Sequence, residues 1–145
     1  GTENIEGMVL KQQFESYSKA ANWHPEAFSK MRNLRLLIVL CDLHLSHGFK
    51  CLPRSLKVLI WTECPLKALP LDIELRRLVH LQMNNSKLEK PWNGSQVFEG
   101  LKVIDLSYSK DLIQTPDISE VPLLEELFLD GCVSLVELHL RILQC

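Results

Sequence analysis

The chain of 145 residues has no long apolar run and no marked excess of charge of either sign. Its longest apolar stretch, residues 34–41, is interrupted by Arg35 and is far shorter than the roughly 20 residues that a membrane-spanning helix requires. Lysine and arginine number 16 against 18 for aspartate and glutamate, which leaves a net charge of -2. We therefore expect no membrane segment, and the net charge offers no electrostatic reason to expect nucleic acid or an anionic membrane as a partner.

Cysteine is odd in number. The five cysteines cannot all pair within the chain, and their spacing is irregular. The N-terminal segment has neither the basic start nor the apolar stretch of a secretory signal, and it begins without methionine. These features predict a fragment of a longer protein that resides in a reducing, intracellular compartment, in the cytoplasm or the nucleus.

Motifs for nucleotide binding and catalysis are also missing. A phosphate-binding loop would have the sequence G-x-x-x-x-G-K-[ST], which does not occur. Nucleophilic catalysis would need a histidine held beside a serine or cysteine and an orienting carboxylate. The five histidines are instead scattered: His24, His44, His47, His80 and His139. We expect no enzymatic activity and no bound cofactor.

One group of potential metal ligands lies within a short stretch and comprises Cys41, His44, His47 and Cys51. Thiolate and imidazole are the usual protein ligands of structural zinc. The spacing of this group, however, is not that of a zinc finger. The group also interrupts a segment in which Leu43 and Leu45 are expected to alternate inward. We therefore predict no metal site.

The chain does contain an internal repeat. Five segments fit the pattern L-x-x-L-x-L-x-x-(N/C)-x-L and begin at residues 34, 56, 78, 101 and 124. The second is the clearest, with Leu56, Leu59, Trp61, Cys64 and Leu66 in the marked positions. This pattern is typical of leucine-rich repeats. The predicted fold class is an α/β solenoid with a short-stranded parallel sheet on its concave face and irregular or short helical segments on its convex side.

The ninth residue of each repeat is expected to face a turn whose backbone groups need hydrogen-bond partners. Short polar or thiol side chains suit that position, which is occupied by Asp42, Cys64, Ser86, Ser109 and Cys132. We predict a structural role for Cys64 and Cys132.

Residues 1–33 precede the first repeat and are predicted to form a junction or N-terminal cap. Within them, Met8-Val9-Leu10 is predicted to be a short strand, and residues 24–31 a helix with Pro25 in its first turn. Residues 34–145 are assigned to about five repeats. No polar cap follows the last repeat, so we expect an array that is truncated or continues further.

Several strings then identify a family that the chain resembles. They are EAFSKMRNLRLL at 26–37, SKLE at 86–89, WNG at 92–94, LKVIDLS at 101–107 and PDIS at 116–119. These strings resemble the repeat region of plant intracellular disease-resistance receptors of the Toll/interleukin-receptor type. In that family a Toll-like signalling domain and a nucleotide-binding switch domain precede the repeats. The resemblance implies that the repeats restrain the switch and sense pathogen effectors.

Outward-facing residues of the predicted strands divide into two sets. The first is an early apolar patch, expected to pack on a neighbouring domain or on residues 11–30, and comprises Leu36, Ile38, Val58 and Ile60. The second is a late polar set, expected to bind a protein partner, and comprises Gln82, Asn84, Asp105, Tyr108, Glu126, Phe128 and Asp130. Tyr108 and Phe128 are the expected anchors, because aromatic side chains dominate many protein interfaces.

Together these features predict a non-catalytic protein-binding repeat region of an intracellular plant immune receptor. Its expected partners are a pathogen effector or host protein and the receptor's own nucleotide-binding domain. Two alternatives stay open on sequence alone. One is a repeat scaffold without an immune role, and the other is the ectodomain of a secreted or cell-surface receptor.

Overall fold

The computed structural model describes residues 4–11, 31–40, 52–70 and 75–135. Six short strands form one sheet: β1 (Gly7–Lys11), β2 (Leu36–Leu40), β3 (Val58–Trp61), β4 (His80–Gln82), β5 (Val103–Asp105) and β6 (Glu126–Phe128). Neighbouring strands are parallel and follow one another in chain order. This sheet confirms the predicted leucine-rich repeat solenoid.

Apolar columns running across the strands form the core. Side chains alternate between the two faces of a strand, so the fourth and sixth residues of each repeat point inward together. In the first column Leu37 lies beside Leu59, Leu59 beside Leu81, and Leu81 beside Ile104. The second column contains Val39, Trp61, Met83 and Leu106. All eight side chains are at most 1% exposed. Stacking therefore removes from water the apolar face that a single repeat would leave exposed.

The strand predicted at Met8-Val9-Leu10 is confirmed as part of β1, which pairs with β2 at the edge of the sheet. Met8 lies opposite Leu37, and Leu10 lies opposite Val39, so β1 extends both inward columns by one strand. A segment of the predicted junction thus belongs to the same sheet as the repeats. The domain boundary at residue 33 stays a prediction.

Irregular backbone forms most of the described convex side, as predicted. Its one regular element among the described residues is a 3-10 helix, Ile118–Glu120, capped by the carboxylate of Asp117. The helix predicted at residues 24–31 lies outside the described residues except for Met31, which is buried. The short convex connections agree with the period of the repeat, which leaves little chain between one strand and the next.

A small aromatic core lies beneath the convex side. The rings of Trp92 and Phe98 are 4.6 Å apart between centroids and tilted by 50°. The indole N–H of Trp92 donates to Glu120 Oε2 at 3.1 Å, and the backbone N–H of Gln96 donates to the same oxygen at 2.7 Å. Glu120 therefore joins two consecutive return segments of the solenoid.

The ninth residue of a repeat forms hydrogen bonds with the neighbouring repeat, as predicted. Ser86 Oγ and Ser109 Oγ are 2.7 Å apart, and the Ser109 hydroxyl also donates to the carbonyl of Met83 at 3.4 Å. One repeat further, Cys132 Sγ donates to the carbonyl of Leu106 at 3.1 Å. The buried side chain at this position thus satisfies a carbonyl of the preceding repeat. Asp42 lies outside the described residues.

The same turn precedes each of the strands β2 to β6. The N–H of the first repeat residue donates to the carbonyl three residues earlier, at 3.0 to 3.4 Å, in the repeats beginning at Leu34, Leu56, Leu78, Leu101 and Leu124. The first residue of every turn is buried. The second residue of every turn is exposed, on the flank where the strands begin: Arg32, Arg54, Arg76, Glu99 and Pro122.

Candidate protein-binding surface

The outward residues of β4 to β6 form the polar half of the concave face. Gln82 lies beside Asp105, and Asp105 lies beside Phe128. Adjacent strands are about 4.8 Å apart, so these three residues of the late polar set form one continuous row. A second outward row crosses the strands two residues earlier. Glu126 lies in this row, beside Val103.

Hydrogen bonds within the strands orient two members of this row. His80 Nε2 lies 3.3 Å from Gln82 Oε1 across the same face of β4. The N–H of Ser107 donates to Asp105 Oδ1 at 3.0 Å. A side chain that is already held in place loses less conformational entropy when a partner binds, so Gln82 and Asp105 are prepared for polar contacts.

A residue with left-handed backbone follows each of the strands β3 to β6. These residues are Glu63, Asn85, Tyr108 and Gly131, with φ angles of 63°, 54°, 63° and 70°. The N–H groups of the first three donate to carbonyls of the next repeat, namely those of Asn84, Ser107 and Asp130. The backbone hydrogen bonds between repeats therefore continue beyond the strands. The exposed side chains of Glu63, Asn85 and Tyr108 lie there and form what we call the rim of the concave face. Sequence reasoning missed this feature, although Asn85 and Gly131 are residue types that favour it.

Tyr108 lies against Gly131 of the next repeat. A Cβ added to Gly131 would lie 2.9 Å from Cε1 of Tyr108 and closer still to Cδ1. Glycine is thus required here both by its positive φ and by the approach of the ring. Tyr108 is nevertheless 55% exposed and Phe128 42% exposed, so both aromatic rings are available to a partner.

Asn84 and Asp130 complete the late polar set at the carboxyl ends of β4 and β6. The Oδ1 atom of Asn84 is buried, and no group in the described part of the chain donates a hydrogen bond to it. A buried polar atom without a partner costs about 1–3 kcal/mol. Asn84 therefore carries an unsatisfied buried acceptor beyond the carboxyl end of β4, whereas Asp130 is exposed beyond the end of β6.

Cys132 is a buried residue whose thiol is influenced by the carboxylates of Asp105 and Asp130. Burial raises the pKa of its thiol, backbone hydrogen bonds from Ser109 and Tyr108 lower it, and the two carboxylates raise it further. The net shift is upward, so the thiol is protonated at neutral pH. A protonated thiol is a poor nucleophile and a poor metal ligand, which fits a structural role for Cys132.

The early apolar patch lies on the same concave face, on β2 and β3. Leu36 pairs with Val58 and Ile38 pairs with Ile60, and all four side chains are half-buried. Val9 of β1 adjoins this patch beside Ile38 and is 49% exposed. Sequence reasoning did not include Val9, because the pairing of β1 with β2 is not visible in the repeat pattern.

The described ranges contain no group of three or more histidine, cysteine or acidic side chains that could hold a metal ion. The candidate zinc ligands Cys41, His44, His47 and Cys51 lie outside those ranges. In the part of the chain that the structure covers, no helix is long and apolar enough to cross a bilayer.

Comparison with known proteins assigns the chain to a family. It is 38% identical over 152 residues to disease resistance protein RPP2A of Arabidopsis thaliana, with all of this chain covered. It is 41% identical over 142 residues to RPP5 of Arabidopsis thaliana and 42% identical over 166 residues to RPV1 of Vitis rotundifolia, with 95% and 96% of the chain covered. No family model matches.

The chain spans only 10 to 12% of the length of these three relatives. Within that span the identity extends over nearly the whole chain, and the parallel sheet has the repeat architecture that the sequence pattern predicts. The chain therefore belongs to the leucine-rich repeat region of plant disease-resistance proteins of the Toll/interleukin-receptor type.

Proposed function

We propose that this chain is the non-catalytic protein-binding region of an intracellular plant immune receptor, located in the cytoplasm or the nucleus. In this proposal the late polar set senses a pathogen effector or a host protein, and the early apolar patch binds the receptor's own nucleotide-binding switch domain. The main support is the division of one concave face into an apolar half on β2 and β3 and a polar, aromatic half on β4 to β6.

The late polar set suits a reversible protein partner. Tyr108 supplies an exposed ring at the rim and Phe128 one on β6, and Gln82 and Asp105 supply oriented polar groups between Phe128 and the apolar half. Interfaces of this kind combine a few aromatic anchors with surrounding polar contacts.

Replacement of either Tyr108 or Phe128 with alanine is expected to weaken partner binding by more than about 1 kcal/mol, or roughly fivefold in Kd, because each ring is an anchor. The measurement is isothermal titration with the protein that the full receptor recognises. Val97→Ala is the matched control, since Val97 is 54% exposed on a return segment. Unchanged affinity in both aromatic variants would exclude this half of the face as the sensing surface.

The early apolar patch suits a neighbouring domain of the same protein. Four half-buried aliphatic side chains are contiguous there and continue into Val9 and Leu40, which are 49% and 44% exposed. Contiguous apolar surface on a soluble protein commonly marks an interaction site. A neighbouring domain that covers the patch while the receptor is at rest would connect effector binding on β4 to β6 with release of the switch.

Aspartate at both Ile38 and Ile60 is expected to activate defence signalling without a pathogen, because two buried charges would destabilise the contact with the switch domain. The measurement is ion leakage from leaf tissue that expresses the full-length receptor. Val103→Asp is the control, since Val103 is half-buried in the second outward row, on β5, and belongs to neither set. Leakage equal to the unsubstituted receptor, with normal protein level, would contradict restraint through this patch.

The coding sequence upstream of residue 1 discriminates the proposal from its two alternatives. A Toll-like domain and a nucleotide-binding loop would support the intracellular receptor. A secretory signal would instead support an ectodomain, and the absence of all three would support a scaffold without an immune role.

A further inference from the structure

A strip of basic side chains lies on the turns that precede β2, β3 and β4. The described turn segments 31–35, 53–57 and 75–79 carry six basic residues and no acidic residue. The strip comprises Arg32, Arg35, Arg54, Lys57, Arg76 and Arg77, all of which are exposed. Such a concentration contrasts with the net charge of -2 for the whole chain.

The fold brings these residues together although they are dispersed over 46 positions, from 32 to 77. The N–H of Lys57 donates to the carbonyl of Arg35 at 2.8 Å, and the N–H of Val79 donates to that of Lys57 at 2.8 Å. Three strands at about 4.8 Å spacing place the first and third turns about 10 Å apart. Adjacent turns, at about 4.8 Å, lie well within the Debye length of about 8 Å at physiological salt, so the charges of neighbouring turns reinforce one another.

Acidic residues mark both ends of the strip. At the β1 end, the carbonyl of Glu6 accepts a hydrogen bond from the N–H of Arg35. At the other end, Glu99 occupies in the fourth turn the position that Arg32, Arg54 and Arg76 occupy in the first three. Two basic residues per turn therefore occur in three turns only; the fourth turn pairs Glu99 with one basic residue, Lys102, at the position of Arg35 and Lys57. A long polyanion would meet a carboxylate on either side of the strip.

Five of the six basic residues are arginine, whose planar guanidinium forms paired hydrogen bonds with a carboxylate. Binding of single-stranded nucleic acid commonly adds aromatic side chains on which bases stack. The three turn segments contain no aromatic residue. A short carboxylate-bearing segment matches both the length and the chemistry of the strip.

We infer that the basic strip is a second protein-binding surface, which takes a short acidic segment of a protein partner. Its residues lie on the turns rather than on the concave face, so it neither overlaps the late polar set nor depends on the function proposed for that set. Two partners could thus occupy the solenoid at the same time, one on the flank and one on the concave face.

The test is fluorescence anisotropy of a labelled poly-glutamate peptide of about four residues, which extends to roughly 13 Å and so spans the strip without running far past its acidic ends. The triple variant Arg32→Glu, Lys57→Glu and Arg76→Glu removes one basic residue from each of the three turn segments and is expected to weaken binding at least tenfold. The control is Lys67→Glu, Lys87→Glu and Lys110→Glu, an equal charge change at exposed residues beyond the carboxyl ends of the strands. We expect the control to bind within about twofold of the unsubstituted chain.

Two further measurements keep the result interpretable. Far-UV circular dichroism checks that each variant folds. The double variant Arg32→Lys and Arg76→Lys preserves the charge but removes two guanidinium groups, so this variant is expected to bind the peptide with intermediate affinity. Equal loss of binding in the strip and control variants would overturn the inference. Tighter binding of an RNA tetramer or of phosphatidylserine vesicles than of the peptide would overturn it as well, because the strip would then serve a nucleic acid or a membrane.

Discussion

Replacing Leu81 with alanine is expected to lower the free energy of unfolding by about 2–5 kcal/mol, the range for deletion of a buried leucine side chain. Leu81 is 1% exposed at the centre of the sheet and lies between Leu59 and Ile104. The cavity left by the missing side chain would therefore weaken the packing of this repeat against both of its neighbours. Because each repeat is stabilised mainly by its neighbours, the loss would propagate along the array. Urea unfolding followed by far-UV circular dichroism measures it.

Gln82→Ala is the matched control for this prediction, since it changes the adjacent residue of the same strand. The side chain of Gln82 faces the concave surface and contacts His80 at 3.3 Å. Its removal is expected to cost less than about 1 kcal/mol. If Leu81→Ala cost no more than Gln82→Ala, the inward column would not be the main source of stability.

Trp92→Ala is expected to cost about 3–5 kcal/mol, as for other buried tryptophans replaced by alanine. Trp92 is 5% exposed, contacts the ring of Phe98 and donates its indole N–H to Glu120. The substitution would thus remove an aromatic contact and leave Glu120 with one donor fewer. Thermal and urea unfolding of the substituted chain measure the effect.

Trp92→Phe separates the two contributions. It retains an aromatic ring beside Phe98 but lacks the N–H that Glu120 accepts, while the donor from Gln96 remains. We expect a smaller loss, of about 1–2 kcal/mol, from the missing hydrogen bond and reduced packing. A loss as large as that of Trp92→Ala would instead assign the stabilisation mainly to the hydrogen bond with Glu120.

Much of the fold was predictable because the repeat has a fixed period. Leucines at the same position of successive repeats can be buried only if the repeats stack, and this requirement specifies parallel strands in chain order. The same argument identified Ser86, Ser109 and Cys132 as residues that bond neighbouring turns. These inferences depend on local periodicity, which is readable without coordinates.

The candidate surface was predictable only in part. Strand alternation correctly placed Gln82, Asp105 and Phe128 on one face, because side chains alternate regardless of neighbours. Their assignment to a partner stays a prediction. The contact between the Tyr108 ring and Gly131 could not be predicted from the sequence. It depends on the left-handed backbone of both residues, which lie in two consecutive repeats.

The sequence by itself determined the repeat, the identity of the inward residues and the alternation of the concave face, since each follows from spacing along the chain. Only the tertiary structure decided that β1 adds Val9 to the early apolar patch and that six dispersed basic residues meet on one flank. The physical reason is that both features arise between strands. Hydrogen bonds between strands set the register, and the register brings residues about 22 positions apart to within about 5 Å.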